Sequence, residues 1–358
     1  MKKVVSVALV AMLSLALVFA FAGCGTSSTS GDDPSASAGG SGDAAATRTV
    51  TDLQGTDVEI PSHVTKIAAA YPAVDEIFLL LGSEDQVCAI NQYNQSNEWL
   101  LKLAPSFKEL PTLFDSSGKF DAETLLSVDP DVVVCGSEEV AEAVRAQGVP
   151  AVVAMATSVD SLKQTISLIG EILGAGDQAN DLVSYYEDNM KQATDRTSDL
   201  SADQRPKVYY ATGNGPLSTE GTGSIVTDWM TMGGGTNVAA DNGIDGMFKD
   251  VTTEQLLAWN PDIIITVNNK VRDEFLSDSA YADLTAVKNG AVYASPSGAY
   301  TWCVRSADEA TMTLWAATKI QPDLFSDIEY DTITKDFYTQ FYNYELTDDE
   351  VADILDGN

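Results

Sequence analysis

The chain has 358 residues, 44% of them hydrophobic, more than one core usually serves, so two folded lobes are expected. It carries 53 acidic and 20 basic residues, a formal net charge of −33, which argues against nucleic acid and against basic docking onto anionic lipid. The single histidine, His63, leaves no Ser-His-Asp or Cys-His apparatus and no His-rich cluster for bare zinc or manganese.

Lys2-Lys3 followed by the acid-free apolar run from Val4 to Ala22 is a targeting segment. It ends at Phe21-Ala22-Gly23-Cys24, a small pair before a lone cysteine, the lipobox pattern in which the Cys24 sulfur takes a diacylglyceryl group. An ordinary signal peptide cut nearby, or an uncleaved anchor helix, is the alternative. Residues 1–23 are read as a lipoprotein signal peptide and 24–47 as a flexible, lipid-anchored linker. The linker is Gly, Ser, Thr, Ala and Asp with one Pro, and cannot bury enough surface to fold. Two or more acyl chains suffice for stable anchoring, so the folded part is expected at the cell membrane, on its extracytoplasmic face. Without Lys2 and Lys3 the balance is 18 basic to 53 acidic residues, a net of −35. Cys88, Cys135 and Cys303 remain, with no CxxC spacing for zinc or redox chemistry.

Arg48 to Pro61 alternates around Gln54-Gly55 and reads as a β-hairpin. Strands are expected at 66–70, 86–90, 131–135 and 151–154, with helices at 74–81, 121–128 and 138–147. Asn91 to Gly118 reads as a long polar connection. Ser158 caps a helix striped by Leu162, Ile166, Ile169 and Leu173. Asp177 is the expected N-cap of one long helix running to Leu200. Beyond it, strands are expected at 206–211, 262–266 and 291–294, and helices at 225–232 and 252–258. Ser306 with Glu309 reads as a capping box for a helix to about Ile320. Phe337, Tyr338, Phe341 and Tyr342 form an apolar helical face, and Thr347 with Glu350 caps a last helix. Strands separated by helices mean parallel sheets covered on both faces.

The chain repeats itself across the long helix. Glu123, Leu125-Leu126 and Pro130-Asp131 recur as Glu254, Leu256-Leu257 and Pro261-Asp262, each time before a β-branched run. Asp75-Glu76 to Gly82 lines up with Thr227-Asp228 to Gly234, so Glu76 and Asp228 are equivalent. The expected fold is α/β: two Rossmann-like lobes with parallel sheets, 48–174 and 205–358, bridged by a single long α-helix within 175–204.

No P-loop spacing exists, the Gly-rich stretches at 213–216 and 221–224 read as turns, and nothing marks an enzyme or a bound cofactor. Ligands of open α/β lobes meet the loops beyond the C-terminal ends of the strands. Those loops carry Tyr71, Tyr93, Trp99, Asn214, Asn268, Tyr300, Trp302 and Arg305, the candidate ligand-binding residues. Aromatics with amides and one arginine suit a medium-sized, partly apolar, anionic ligand. Arg305 also precedes a helix start, which favours anions.

From Arg48 onward the chain resembles the class III substrate-binding proteins of bacterial ABC importers, the iron-siderophore, haem and vitamin B12 group. The matching pieces are Thr51-Asp-Leu-Gln-Gly55, Tyr71-Pro-Ala-Val-Asp-Glu-Ile77, the two Glu-x-Leu-Leu…Pro-Asp units, Gly234-Gly-Thr-Asn237, Leu284…Lys288-Asn-Gly-Ala-Val-Tyr293 and Leu314-Trp-Ala-Ala…Pro322-Asp-Leu-Phe325. The resemblance implies ligand held between lobes that close only modestly. It implies a permease dimer with its cytoplasmic ATPase as partners, a monomeric binding protein, and one acid per lobe, Glu76 and Asp228, docking onto permease arginines. It implies a metal chelate as ligand: ferric siderophore first, cobalamin next, haem third, with an oxyanion as the alternative. A surface sensor or adhesin lipoprotein is another reading, and a chelatase-like enzyme the last.

Overall fold

The computed structural model describes residues 46–114 and 119–357. The signal peptide, Cys24 and almost all of the linker lie outside the described residues. Strands β1 (Thr47–Thr51) and β2 (Asp57–Pro61) pair antiparallel as the expected hairpin. Both lobes then follow one plan. The first contains β3 (Ile67–Ala69), β4 (Val87–Ala89), β5 (Val132–Cys135) and β6 (Ala151–Val153), all parallel, in the order β4-β3-β5-β6. The second contains β7 (Lys207–Ala211), the short β8 (Ser218–Thr219), β9 (Thr236–Asn237), β10 (Lys249–Asp250), β11 (Ile263–Thr266) and β12 (Val292–Ala294). Its parallel sheet runs β9-β7-β11-β12, the same order, while β8 and β10 pair by themselves. Each sheet is a β-branched layer buried on both faces by helices, as parallel sheets require.

The first lobe's helices are α1 (Asp75–Leu80), α2 (Glu98–Leu103), α3 (Ala122–Val128), α4 (Glu138–Arg145) and α5 (Val159–Leu173). The bridging helix α6 spans Gly176–Thr197. The second lobe adds α7 (Ile225–Met232), α8 (Val238–Asp241), α9 (Thr253–Trp259), α10 (Asn269–Ser277), α11 (Thr285–Lys288), α12 (Met312–Ile320), α13 (Tyr330–Phe341) and α14 (Asp348–Asp356). Helix α6 begins one residue before Asp177, which sits in its first turn rather than capping it. Carboxylates are favoured in either place, so the charge logic holds and only the boundary moves.

The repeat persists at atomic detail. Asp129 and Asn260 end α3 and α9 with left-handed backbone, φ 49° and 45°. Asp131 Oδ2 accepts from the N–H groups of Thr65 and Lys66, and Asp262 Oδ2 from the N–H of Lys207. Lys66 and Lys207 each donate Nζ to a carbonyl at the end of the helix just named, Val128 or Trp259. The Pro-Asp turn thus ties the third strand of each lobe to the start of its first. Helix α6 packs on α5 from one side and on α7 and α12 from the other. Both sheets belong to one compact unit, residues 44–358.

Candidate functional site

The loops leaving the strand ends meet where the lobes face each other. Tyr71 follows β3. Its ring lies against Gly136, after β5, where an added Cβ would come within 2.8 Å of the ring. Tyr93 follows β4 in a short 3-10 turn capped by Asn91. Trp99 lies on α2, whose N-cap is Asn97. From the second lobe, the segment after β12 doubles back: the Gly298 N–H meets the Tyr300 carbonyl at 2.9 Å and the Trp302 N–H meets that of Pro296 at 3.1 Å. Gly298 allows this packing, because a Cβ there would fall 1.8 Å from the Tyr338 hydroxyl.

These loops enclose a cavity of about 530 Å³. Tyr93, Asn97, Trp99 and Lys102 line it from the first lobe, Ser297, Tyr300 and Thr301 from the second, with Glu350 and Asp353 of α14 at the rim. The Tyr93 and Tyr300 rings stand 6.1 Å apart, tilted at 55°. Trp99 meets Tyr338 edge-on, and Lys102 sits 4.4 Å over the Trp99 ring. The lobes touch here through Asn97 Nδ2 and the Ala299 carbonyl at 2.7 Å, and through the ion pair of Lys102 with Glu350.

Beyond Tyr300 the interface turns charged. Arg305 is largely buried, with Nη1 3.4 Å from the fully buried Glu220 and its guanidinium 5.2 Å over the Phe248 ring. Burial pushes the Tyr71 hydroxyl up, while Arg305, hydrogen-bonded to it, pulls the other way. Desolvation raises Tyr300 as well, with Tyr71 adding to the shift. Both phenols stay protonated near neutrality and serve as donors. Near Tyr300 there is thus a cation already matched by one carboxylate.

Tyr71, Tyr93, Trp99, Tyr300 and Arg305 are thus gathered along one interface. Trp302 is not at its surface: it is 0% exposed and packs in the core beside Tyr330. Asn268 caps α10 through the Val271 N–H, so its side chain is committed locally. Asn214 stands exposed on the turn after β7. Glu76 is 0% exposed, so in this conformation its carboxylate is out of reach of an arginine on another protein. Asp228 is half-buried and accepts a hydrogen bond from Val159 N–H.

Sequence reasoning missed the lining residues Asn97 and Lys102, because 91–118 reads as polar connection. The Asn97-Glu98 start of an apolar-bearing helix was the available signal. It also missed that the acids Asp75, Glu76 and Asp308 are buried. Asp75 accepts from Asn91 N–H and Asn94 Nδ2, yet burial pushes its carboxyl up to about 8. Asp308 takes hydrogen bonds from Tyr342 and from the Tyr300 N–H, and burial raises it to about 7. Glu76 is raised by burial and by Asp308 beside it. Among the described residues, no group of three or more His, Cys, Asp or Glu is placed to hold a metal ion.

Residues 67–299 match the sequence profile of the periplasmic binding protein family. The chain belongs to that family. Its relatives include the molybdate-binding protein MolA of Haemophilus influenzae, 28% identical over 335 residues, which covers 86% of this chain and 94% of the relative. A cobalamin-binding protein of Halobacterium salinarum is 22% identical, covering 69% of this chain and 66% of the relative. A crystal structure of a periplasmic solute-binding protein from Veillonella parvula superposes with a TM-score of 0.75 at 30% identity, covering 87% of this chain and 97% of that one. The protein is therefore an extracytoplasmic substrate-binding component of an ABC importer, and such proteins work with permease and ATPase components and are not enzymes. Among the described residues no helix is long and apolar enough to cross a membrane.

Proposed function

We propose that the protein captures a metal chelate with anionic groups, a ferric siderophore before cobalamin or haem, and hands it to a permease dimer. The observation that carries this is the cavity itself. Its volume of about 530 Å³ falls in the range of about 300–1,000 Å³ typical of organic ligand sites. Tyr93, Trp99 and Tyr300 give it an apolar wall contributed by both lobes. Tyr71 and Arg305 lie near Tyr300, outside that lining. A lone tetrahedral oxyanion would leave most of that wall unused, and the Arg305 charge is already matched by Glu220.

An oxyanion is the second reading, supported by the likeness to MolA. Fluorescence titration separates them, because Trp99 lines the cavity. A ferric tris-catecholate should quench Trp99 emission saturably, and Trp99→Phe should remove that response. Saturable binding of molybdate with no response to ferric chelate, cobalamin or haem would transfer the assignment to the oxyanion. Binding of none of them would sink both.

The reading includes a lipid anchor on Cys24 and a monomeric soluble domain. Labelled fatty acid should enter the wild-type protein and not Cys24→Ser; equal labelling of both would dismiss the anchor. Of the two acids expected at the permease, Asp228 alone keeps solvent access and stays in the proposal.

A further inference from the structure

Glu76 and Asp228 hold matching places in the internal repeat, each on the first α-helix of its lobe, α1 or α7. Neither is spent within its own lobe. Oε1 of Glu76 accepts from the N–H of Ala307, and the Asp308 N–H lies close enough to favour the same carboxyl group. Those residues open the helical segment that runs from Ala307 through α12 in the other lobe. Oδ2 of Asp228 accepts at 3.1 Å from the N–H of Val159, the first residue of α5 in the first lobe. The capped helices also correspond. Each follows the last parallel strand of its lobe, β6 or β12, and each packs against α6.

The caps that sequence predicts within each lobe do not cover these groups. Ser306 makes no side-chain cap and donates instead to the Thr301 carbonyl. Ser158 caps α5 at Ser161 and leaves the Val159 N–H to Asp228. Helix starts hold unsatisfied N–H groups and partial positive charge, and a carboxylate answers both. Here the answering carboxylate comes from across the interface, and it does so in both directions.

We propose that Glu76 and Asp228 form a reciprocal clasp, each acid of one lobe holding a helix start of the other, and that this clasp sets how far the lobes part around the ligand cavity. They are positioning residues: neither lines the cavity. Hydrogen bonds of this kind are lost within about 1 Å of added separation, so a small rocking of the lobes breaks them. The stiff helix α6 carries both capped helices, which links the two contacts mechanically. The inference rests on the chain being a two-lobed binding protein and not on which ligand it takes.

Hydrogen exchange on the ligand-free, full-length protein tests it. Asp228→Ala should speed exchange at Val159 and also at Ala307 and Asp308, in the opposite lobe, where that acid makes no contact. The expected factor is about tenfold, which corresponds to about 1.4 kcal/mol of lost hydrogen bonding. The core amides of Val133 and Ile264 should not change. Asp228→Asn keeps an acceptor oxygen and should restore most of the protection. Glu76→Ala should produce the mirror result at Val159, with Glu76→Gln as its conservative partner. Faster exchange confined to the directly bonded amide would reduce each acid to a local cap and overturn the clasp, as would no change at all. Should Glu76→Ala fail to fold, Asp228→Ala, at a half-exposed position, decides by itself. Ligand titration plays no part in this readout, so failure here is separate from failure of the chelate reading.

Discussion

The lobe interface has two regions of opposite character. The mouth is an open aromatic cavity closed by few bonds, with Tyr93 63% exposed and a surface ion pair of Lys102 with Glu350. The deep region is closed to solvent and holds Asp75, Glu76, Asp308 and Glu309 at 0% exposure, beside the Arg305–Glu220 pair. Surface pairs are worth little, whereas a buried group stripped of its partner is expensive. The mouth can therefore vary with ligand while the deep region sets the geometry of closure. Substitutions should divide along the same line.

The largest expected effect is Arg305→Ala. It leaves Glu220 buried and unpaired, which costs about 3–5 kcal/mol. Denaturant titration should show that loss, and ligand binding should fall with it. A loss below about 1 kcal/mol would mean that water replaces the guanidinium and that the region is not closed to solvent. Next come two tryptophans a few residues from the same loops. Trp302→Ala, in the core, should cost about 3–5 kcal/mol of stability. Trp99→Ala should cost less stability and far more ligand affinity, because its ring faces the cavity. Equal stability losses would mean that Trp99, too, acts as a core residue.

A third effect is pH dependence. Burial raises Asp75 from its ordinary value to about 8 and Asp308 to about 7. In the folded protein these groups hold protons that the unfolded chain releases near pH 4. The folded state thus binds more protons over that window, and stability falls as pH rises from about 4 to about 8. The wild type should melt at a lower temperature at the alkaline end. Asp75→Asn keeps an acceptor for Asn91 and Asn94 and should flatten that slope. An unchanged slope would place the titration elsewhere. The smallest stability effect belongs to Tyr93→Ala, within about 0.5 kcal/mol of wild type, since the ring is exposed. Its signature is weaker ligand binding alone, seen by fluorescence titration.

Much of this was legible in the chain. The Pro-Asp echoes marked a repeated β-α-β plan, and both sheets have the same strand order. Tyr71, Tyr93, Trp99, Tyr300 and Arg305 were legible as loop residues at strand ends, because the topology sends those loops to one interface. Trp302 and Asn268 came from the same loops, but loop membership does not fix side-chain direction. One packs inward and the other caps its own helix. Glu76 read as a surface acid because unpaired glutamates are almost never fully buried. Ser306 read as a cap because the local pattern was complete.

Sequence alone determined what depends on neighbours a few residues away: the helix stripes, the β-branched strands, the Pro-Asp turns at 130–131 and 261–262, and the repeat that makes two lobes. Local periodicity carries that information. Only the tertiary structure decided which carboxylate answers which helix start. Glu76 and Ala307 are 231 positions apart, and Asp228 and Val159 are 69 apart. No periodic pattern spans such distances. The burial that shifts these acids exists only once the two lobes are brought together along α6.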